Sequence, residues 1–169
     1  EIAWIFEMEN YKGDIQANPV IVDGIIYTPV AGGYIVALDG KSGNLIWKSK
    51  KFGDSVARRG LLYHKDSNDK IARIIFSNRE KLVSLNAENG DFIKSFGRNG
   101  QVKRTGLNVT TPIIYKNNIV IVTWDRAIEV YDLYSGKTKW KLKYINKISK
   151  RFGGKKFNNN GSNSWGGIS

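Results

Sequence analysis

Apolar residues along this chain fall in short runs, each broken by Asp, Asn or Gly. Pro19-Val20-Ile21-Val22 and Ile25-Ile26-Tyr27 flank Asp23-Gly24, a two-residue hairpin signal. Gly60-Leu61-Leu62-Tyr63 precedes Ala72-Arg73-Ile74-Ile75-Phe76. Pro112-Ile113-Ile114-Tyr115 and Ile119-Val120-Ile121-Val122 flank Asn117-Asn118. The runs are short, rich in β-branched residues and bounded by turn formers, so they predict strands. No stretch carries a convincing amphipathic helix period.

A longer pattern organises these runs. Ile35-Val36-Ala37-Leu38-Asp39 leads to Gly43 and Trp47; Leu82-Val83-Ser84-Leu85-Asn86 leads to Gly90; Ile128-Glu129-Val130-Tyr131-Asp132 leads to Gly136 and Trp140. Asp39 to Asn86 is 47 residues, and Asn86 to Asp132 is 46. Each unit reads as a strand, a tight turn and a second strand. The Asp or Asn opens the turn because its side chain accepts from backbone amides two residues on. The Gly stands where positive φ is needed. Trp47 and Trp140 fall where a large ring packs between neighbouring sheets. The middle unit has Lys94 at that position, with Phe96 available to fill the gap from a shifted register.

Four antiparallel strands per unit of about 45 residues predict an all-β fold, a β-propeller of four-stranded blades. Stacked solenoid repeats are the structural alternative, but they carry fewer and shorter strands per repeat. The repeats span approximately residues 17–50, 57–98 and 108–144, with 145–169 read as a loop into a next blade. Trp4 reads as the closing strand of an earlier blade. Three blades do not close a ring of ~4–8, so the expected protein is longer on both sides.

Composition narrows the chemistry. The chain has no Cys, which removes disulfides and thiolate metal sites, and a single His, His64, which removes a multi-histidine centre. No apolar run approaches the roughly 20 residues of a membrane-crossing helix. Glu1 to Phe6 reads as strand rather than as a secretory leader. The net charge is +12, and no acidic residue follows Asp132. That basic segment is read as a solvated face rather than a polyanion-binding tail, because stacking aromatics are not interleaved at regular spacing. A nucleic-acid partner, resting on charge alone, is not expected.

Four segments carry a resemblance. Leu38-Asp39-Gly40-Lys41-Ser42-Gly43-Asn44-Leu45-Ile46-Trp47 resembles the tryptophan-docking motif of pyrroloquinoline-quinone (PQQ) repeat propellers, a motif that non-enzymatic propeller scaffolds also carry. Ala57-Arg58-Arg59-Gly60-Leu61-Leu62-Tyr63 looks like the RGxxY motif of the catalytic branch. Phe92 to Gly100 resembles a blade-end FGxNG segment, and Gly161-Ser162-Asn163-Ser164-Trp165-Gly166-Gly167 resembles the NxWGG segment. Together they resemble the PQQ-dependent glucose and alcohol dehydrogenases over nearly the whole chain. The resemblance implies about three blades of eight. It also implies a sugar or alcohol substrate, hydride transfer to PQQ beside Ca²⁺, and a quinone or cytochrome as electron acceptor. It implies a periplasmic protein, with inner-membrane attachment through regions outside this chain. The competing class is a non-catalytic propeller that binds other proteins.

The resemblance also assigns residues. Arg59 matches the arginine that pairs with a PQQ carboxylate, for which a guanidinium fork is suited. Trp165 matches the tryptophan that floors the quinone pocket. Gln16 stands at a polar cofactor-contacting position. Thr110 or Thr111 stands where a hydroxyl meets a PQQ carboxylate. The departures are as informative. Val56-Ala57-Arg58 stands where alcohol-oxidising relatives carry a vicinal Cys pair. Ser55 stands where glucose-oxidising relatives place a His. The metal-binding Glu inserted before the third turn has no match; Asp125 is read as a surface residue. The catalytic aspartate and the metal ligands are expected beyond Ser169.

Overall fold

The computed structural model describes residues 1–8, 16–53, 56–65, 70–105, 110–123 and 127–143. Among them are twelve strands and no helix. Strands β1 (Val20–Val22), β2 (Ile25–Val30), β3 (Tyr34–Asp39) and β4 (Leu45–Lys48) form the first sheet in that order. Strands β5 (Leu62–His64), β6 (Arg73–Asn78), β7 (Lys81–Asn86) and β8 (Gln101–Lys103) form the second. Strands β9 (Ile113–Tyr115), β10 (Asn118–Val122), β11 (Ala127–Asp132) and β12 (Thr138–Lys143) form the third. Within the sheets, all strand pairings are antiparallel between sequence neighbours. The fold is an incomplete β-propeller of three four-stranded blades.

The turn after the third strand is built the same way in every blade. Asp39 Oδ1 accepts from the Lys41 and Ser42 amides and from the Ser42 hydroxyl. Asp132 Oδ1 accepts from the Tyr134 and Ser135 amides and the Ser135 hydroxyl, and Asn86 Oδ1 from the Glu88 amide. Gly43, Gly90 and Gly136 close these turns at φ of 74°, 75° and 69°, a conformation a side chain strongly disfavours. Donors gathered on Asp39, foremost the Ser42 hydroxyl, hold its carboxyl below the usual carboxylate range.

Each turn is also where the previous blade docks. The Trp4 indole N–H donates to the Gly40 carbonyl at 3.0 Å and the Trp47 indole N–H to the Ala87 carbonyl at 2.8 Å. A Cβ on Gly43 would lie 2.5 Å from the Trp4 ring, and one on Gly90 would lie 2.6 Å from the Trp47 ring. Each indole therefore needs a bare glycine under it. At the second seam, Phe96 is fully buried, 3.2 Å from a Cβ built on Gly136, and Val102 stands closer at 2.5 Å. Phe96 has no N–H to give, so the adjacent Gly97 amide donates to the Ser135 carbonyl at 2.8 Å instead. Trp140 is the forward-facing residue of the third blade and is 51% exposed.

The seams form the core. Ile35, Trp47, Ile74, Phe76 and Leu85 fill the first; Ile75, Leu82, Phe96, Ile119, Ile121 and Leu133 fill the second. Strand β6 lies between both and is buried along its whole length. Register shifts at Ala37/Leu38 and Val130/Tyr131 fall beside the strand partners of Trp47 and Trp140. Such a bulge re-aims a side chain, here the docking indole.

Three sequence expectations need correction. Glu1 to Phe6 forms no strand, although Trp4 docks on the first blade through its indole. In the middle blade, the outer strand does not follow the Asn86–Gly90 turn at once. Leu85 and Phe92 make only an isolated bridge, Phe96 N–H closes a turn on the Ile93 carbonyl, and the strand forms later at Gln101–Lys103. The detour buries Ile93 and Phe96 in place of the missing tryptophan. In the third blade, the hairpin turn is Lys116-Asn117 rather than Asn117-Asn118, because Asn118 pairs with Tyr115 in the ladder.

Candidate functional site

The segments leading into β1, β5 and β9 meet. Asn18 and Gly60 form a parallel bridge, and the Thr111 hydroxyl donates to the Arg59 carbonyl at 2.8 Å across 52 residues of sequence. One point therefore joins the first, second and third blades where their innermost strands begin. Gly60 has φ of 131°, and a Cβ on it would lie 2.8 Å from Thr111 Oγ1. No side chain fits that junction without moving Thr111. Arg59 is half-buried beside it and Arg58 is exposed.

The chain reaches this junction through a tight bend. Gly60 N–H donates to the Ala57 carbonyl at 2.8 Å, and Ala57 has φ of 41°. Ala57 N–H donates to the Ser77 carbonyl at the end of β6, 3.0 Å away. The bend is thus hung from the second blade and capped by the third.

The structure places the expected residues unevenly. Arg59 and Thr111 are brought into direct contact, and Gln16 is exposed two residues before Asn18. Thr110 is buried, with its hydroxyl 3.5 Å from the Val122 carbonyl. Trp165, the whole NSWGG segment, Ser55 and Asp125 lie outside the described residues. Among the described residues, no group of three or more His, Asp or Glu could hold a metal ion. Of the junction residues, the Arg59 guanidinium has the chemistry to hold one carboxylate of a flat polycarboxylate, while the Thr111 hydroxyl is engaged by the Arg59 carbonyl and fills the space beside Gly60.

A second polar group lies between the second and third blades. Glu129 is 1% exposed. It accepts from the Thr105 hydroxyl at 2.6 Å and the Tyr131 hydroxyl at 2.8 Å, and pairs with the Lys141 ammonium at 2.9 Å. Burial opposes ionisation of this carboxyl, but the donors from Thr105, Lys141 and Tyr131 outweigh it and hold it below its usual range. Burial, then the hydrogen bond to Glu129, pushes the Tyr131 phenol up. Buried Arg104 gives a guanidinium N–H to the Arg79 carbonyl and its backbone N–H to the Glu80 carbonyl, and its charge favours ionised Tyr131. Sequence reading missed this group. Thr105 and Glu129 are 24 residues apart and fit no motif; an acidic residue amid the apolar positions of β11 was the available signal.

Comparison with known proteins follows the same lines. A family model described as the PQQ glucose/ethanol/alcohol dehydrogenase β-propeller domain matches residues 1–169. Outer membrane protein assembly factor BamB of Moranella endobia (strain PCIT) is 32% identical over 110 residues, covering 64% of this chain and 24% of that protein. Quinohemoprotein alcohol dehydrogenase of Comamonas testosteroni is 28% identical over 159 residues, covering 83% of this chain and 21% of that protein. The solved structure of quinohemoprotein alcohol dehydrogenase ADHIIG from Pseudomonas putida HK5 superposes with a TM-score of 0.62 at 21% identity, over 79% of this chain and 21% of that one. That likeness concerns the fold alone. The chain spans about a quarter or less of the length of the curated relatives it matches.

Proposed function

This chain belongs to the PQQ glucose/ethanol/alcohol dehydrogenase β-propeller family, and from that premise we propose that it is part of a PQQ-dependent dehydrogenase of the cell envelope that oxidises a sugar or alcohol. The observation that carries this reading is the junction of Arg59, Gly60 and Thr111 where the innermost strands of three blades begin. Electrons would leave to a quinone or a cytochrome.

When bound, PQQ supplies the hydride-accepting chemistry, with Ca²⁺ beside it. Arg59 provides the cation for one of its carboxylates. Thr111 acts through Arg59, because its one hydroxyl proton is engaged by the Arg59 carbonyl. Thr110, whose hydroxyl reaches the Val122 carbonyl only at 3.5 Å against 2.8 Å for Thr111 and its acceptor, is the candidate for a direct hydroxyl contact. Gln16 provides an amide and Trp165 a flat wall. The base and the Ca²⁺ ligands belong to parts of the protein beyond the described residues.

The test is titration of PQQ into full-length apo-protein, followed by tryptophan fluorescence, with Trp47→Phe as a control. Arg59→Ala should lose about 2–4 kcal/mol of binding, as for one member of a partly buried charge pair. Trp165→Ala should lose about 1–3 kcal/mol. Unchanged affinity in both variants would refute the residue assignment.

The similarity to the assembly factor of Moranella endobia supports a second reading, a propeller without cofactor that binds other proteins. Full-length wild-type protein that takes up no PQQ at any concentration would favour it.

A further inference from the structure

We propose that Asn78 is a positioning residue for Arg59, holding the segment that delivers the guanidinium to the axial junction. This rests on the reading of Arg59 as a cofactor ligand. Asn78 is the last residue of β6 and is 8% exposed. Its Nδ2 donates to the Phe52 carbonyl at 3.2 Å, and its backbone bridges Val56. Its neighbour Ser77 accepts from the Ala57 amide at 3.0 Å. The end of β6 therefore grips the approaching chain at Phe52, at Val56 and at Ala57, two residues before Arg59.

The other holds are of different kinds. Phe52 N–H donates to the Gly33 carbonyl of the first blade, and its ring meets Phe76 and Phe92 edge-on at 5.1 and 5.7 Å. Beyond Arg59, Gly60 is fixed by Asn18 and the Ala57 carbonyl. The Asn78 amide is a side-chain hydrogen bond that ties the segment to the blade Arg59 enters. Among the described residues, Asn78 Oδ1 has no hydrogen-bond partner in its buried place. A buried acceptor without a partner is a cost to folding that an apolar side chain would avoid. Stability alone thus gives little reason for an amide here, whereas holding Phe52 requires its N–H.

The experiment uses full-length apo-protein carrying N78A, N78D, R59A and the N78A/R59A pair. N78D keeps the shape and removes the donor, so it serves if N78A fails to fold. PQQ affinity is read by titration, and exchange of the Ala57 amide by hydrogen–deuterium exchange. Loss of the clamp should weaken PQQ about tenfold in N78A and N78D, against about 100-fold in R59A. In the R59A background, N78A should add less than about twofold, because it acts through the group already removed. The Ala57 amide should exchange faster in both Asn78 variants and at the wild-type rate in R59A. Unchanged PQQ affinity in N78A and N78D, with R59A impaired, overturns the proposal and leaves the site reading standing. An undiminished tenfold effect in the R59A background overturns it too. An R59A variant that binds normally removes the site reading and this proposal together.

Discussion

The indole N–H of Trp47 meets the carbonyl of Ala87 at 2.8 Å, joining two blades across 40 residues of sequence. The same ring lies over Gly90 and beside Tyr27, whose ring centroid is 6.0 Å away. One side chain thus fixes the distance between sheets by its bulk and their register by its hydrogen bond.

Removing the ring should open the first seam. Trp47→Ala is expected to cost about 3–5 kcal/mol, the range for emptying a large aromatic site in a core. Trp47→Phe should cost less, about 1–3 kcal/mol, chiefly because it orphans the buried Ala87 carbonyl. Urea unfolding of the full-length protein measures both. A Trp47→Phe cost near zero would show that the hydrogen bond contributes nothing, and equal costs would show that the ring's bulk contributes nothing.

Gly60→Ala puts a Cβ against the Thr111 hydroxyl at a φ of 131°. Both clash and backbone strain act, so a loss of about 2–4 kcal/mol is expected. Adding Thr111→Ala should return part of it, because the clash goes while the strain stays. No recovery in the double variant would mean that the backbone alone sets the requirement for glycine.

The buried carboxyl of Glu129 gives a pH dependence of known sign. Its folded value is held below the ordinary 4.5 by Thr105, Lys141 and Tyr131 against the opposing effect of burial. A depressed carboxyl stabilises the fold fully above its unfolded value and loses that contribution as pH falls through the folded one. Stability should therefore decline below about pH 4.5, and Glu129→Gln should decline less. Asp39 and Asp132 are depressed as well, so the quantity to measure is the difference in thermal midpoint between wild type and variant. A constant difference from pH 7 to pH 3 would contradict the linkage.

Phe96 holds the second seam without an indole. Phe96→Ala should cost about 3–5 kcal/mol, comparable to Trp47→Ala, since both rings are buried between sheets. A cost under about 1 kcal/mol would place the hold of that seam on Val102 and the Gly97 amide instead.

Much of the architecture was legible because it repeats. Asp39, Asn86 and Asp132, with their glycines, recur at near-constant spacing, and a turn that needs an Asx acceptor and a positive φ admits few other residues. Phe96 was legible as a gap in that pattern. The late start of β8 was not, since Phe92-Ile93 has strand composition and is turned aside only by the seam it must fill. Of the candidate site, Arg59 was legible through its RGxxY context. Its contact with Thr111 was not, because backbone carbonyls carry no sequence signature. Asn78 was invisible, and Glu129 showed only as an acidic residue in an apolar strand, for a related reason: most of their partners are set by blade packing rather than by neighbours in the chain.

Each docking side chain points the same way, from one blade onto the turn of the next. A joint with that polarity has a plug on one side and a socket on the other, and every blade carries both. Copying one repeat in the gene would therefore add a blade without inventing a new contact. On this view ring size is a matter of how many copies accumulate before the curvature brings last plug to first socket. The exposed indole of Trp140 is such a plug, and its socket needs only an Asx turn closed by glycine.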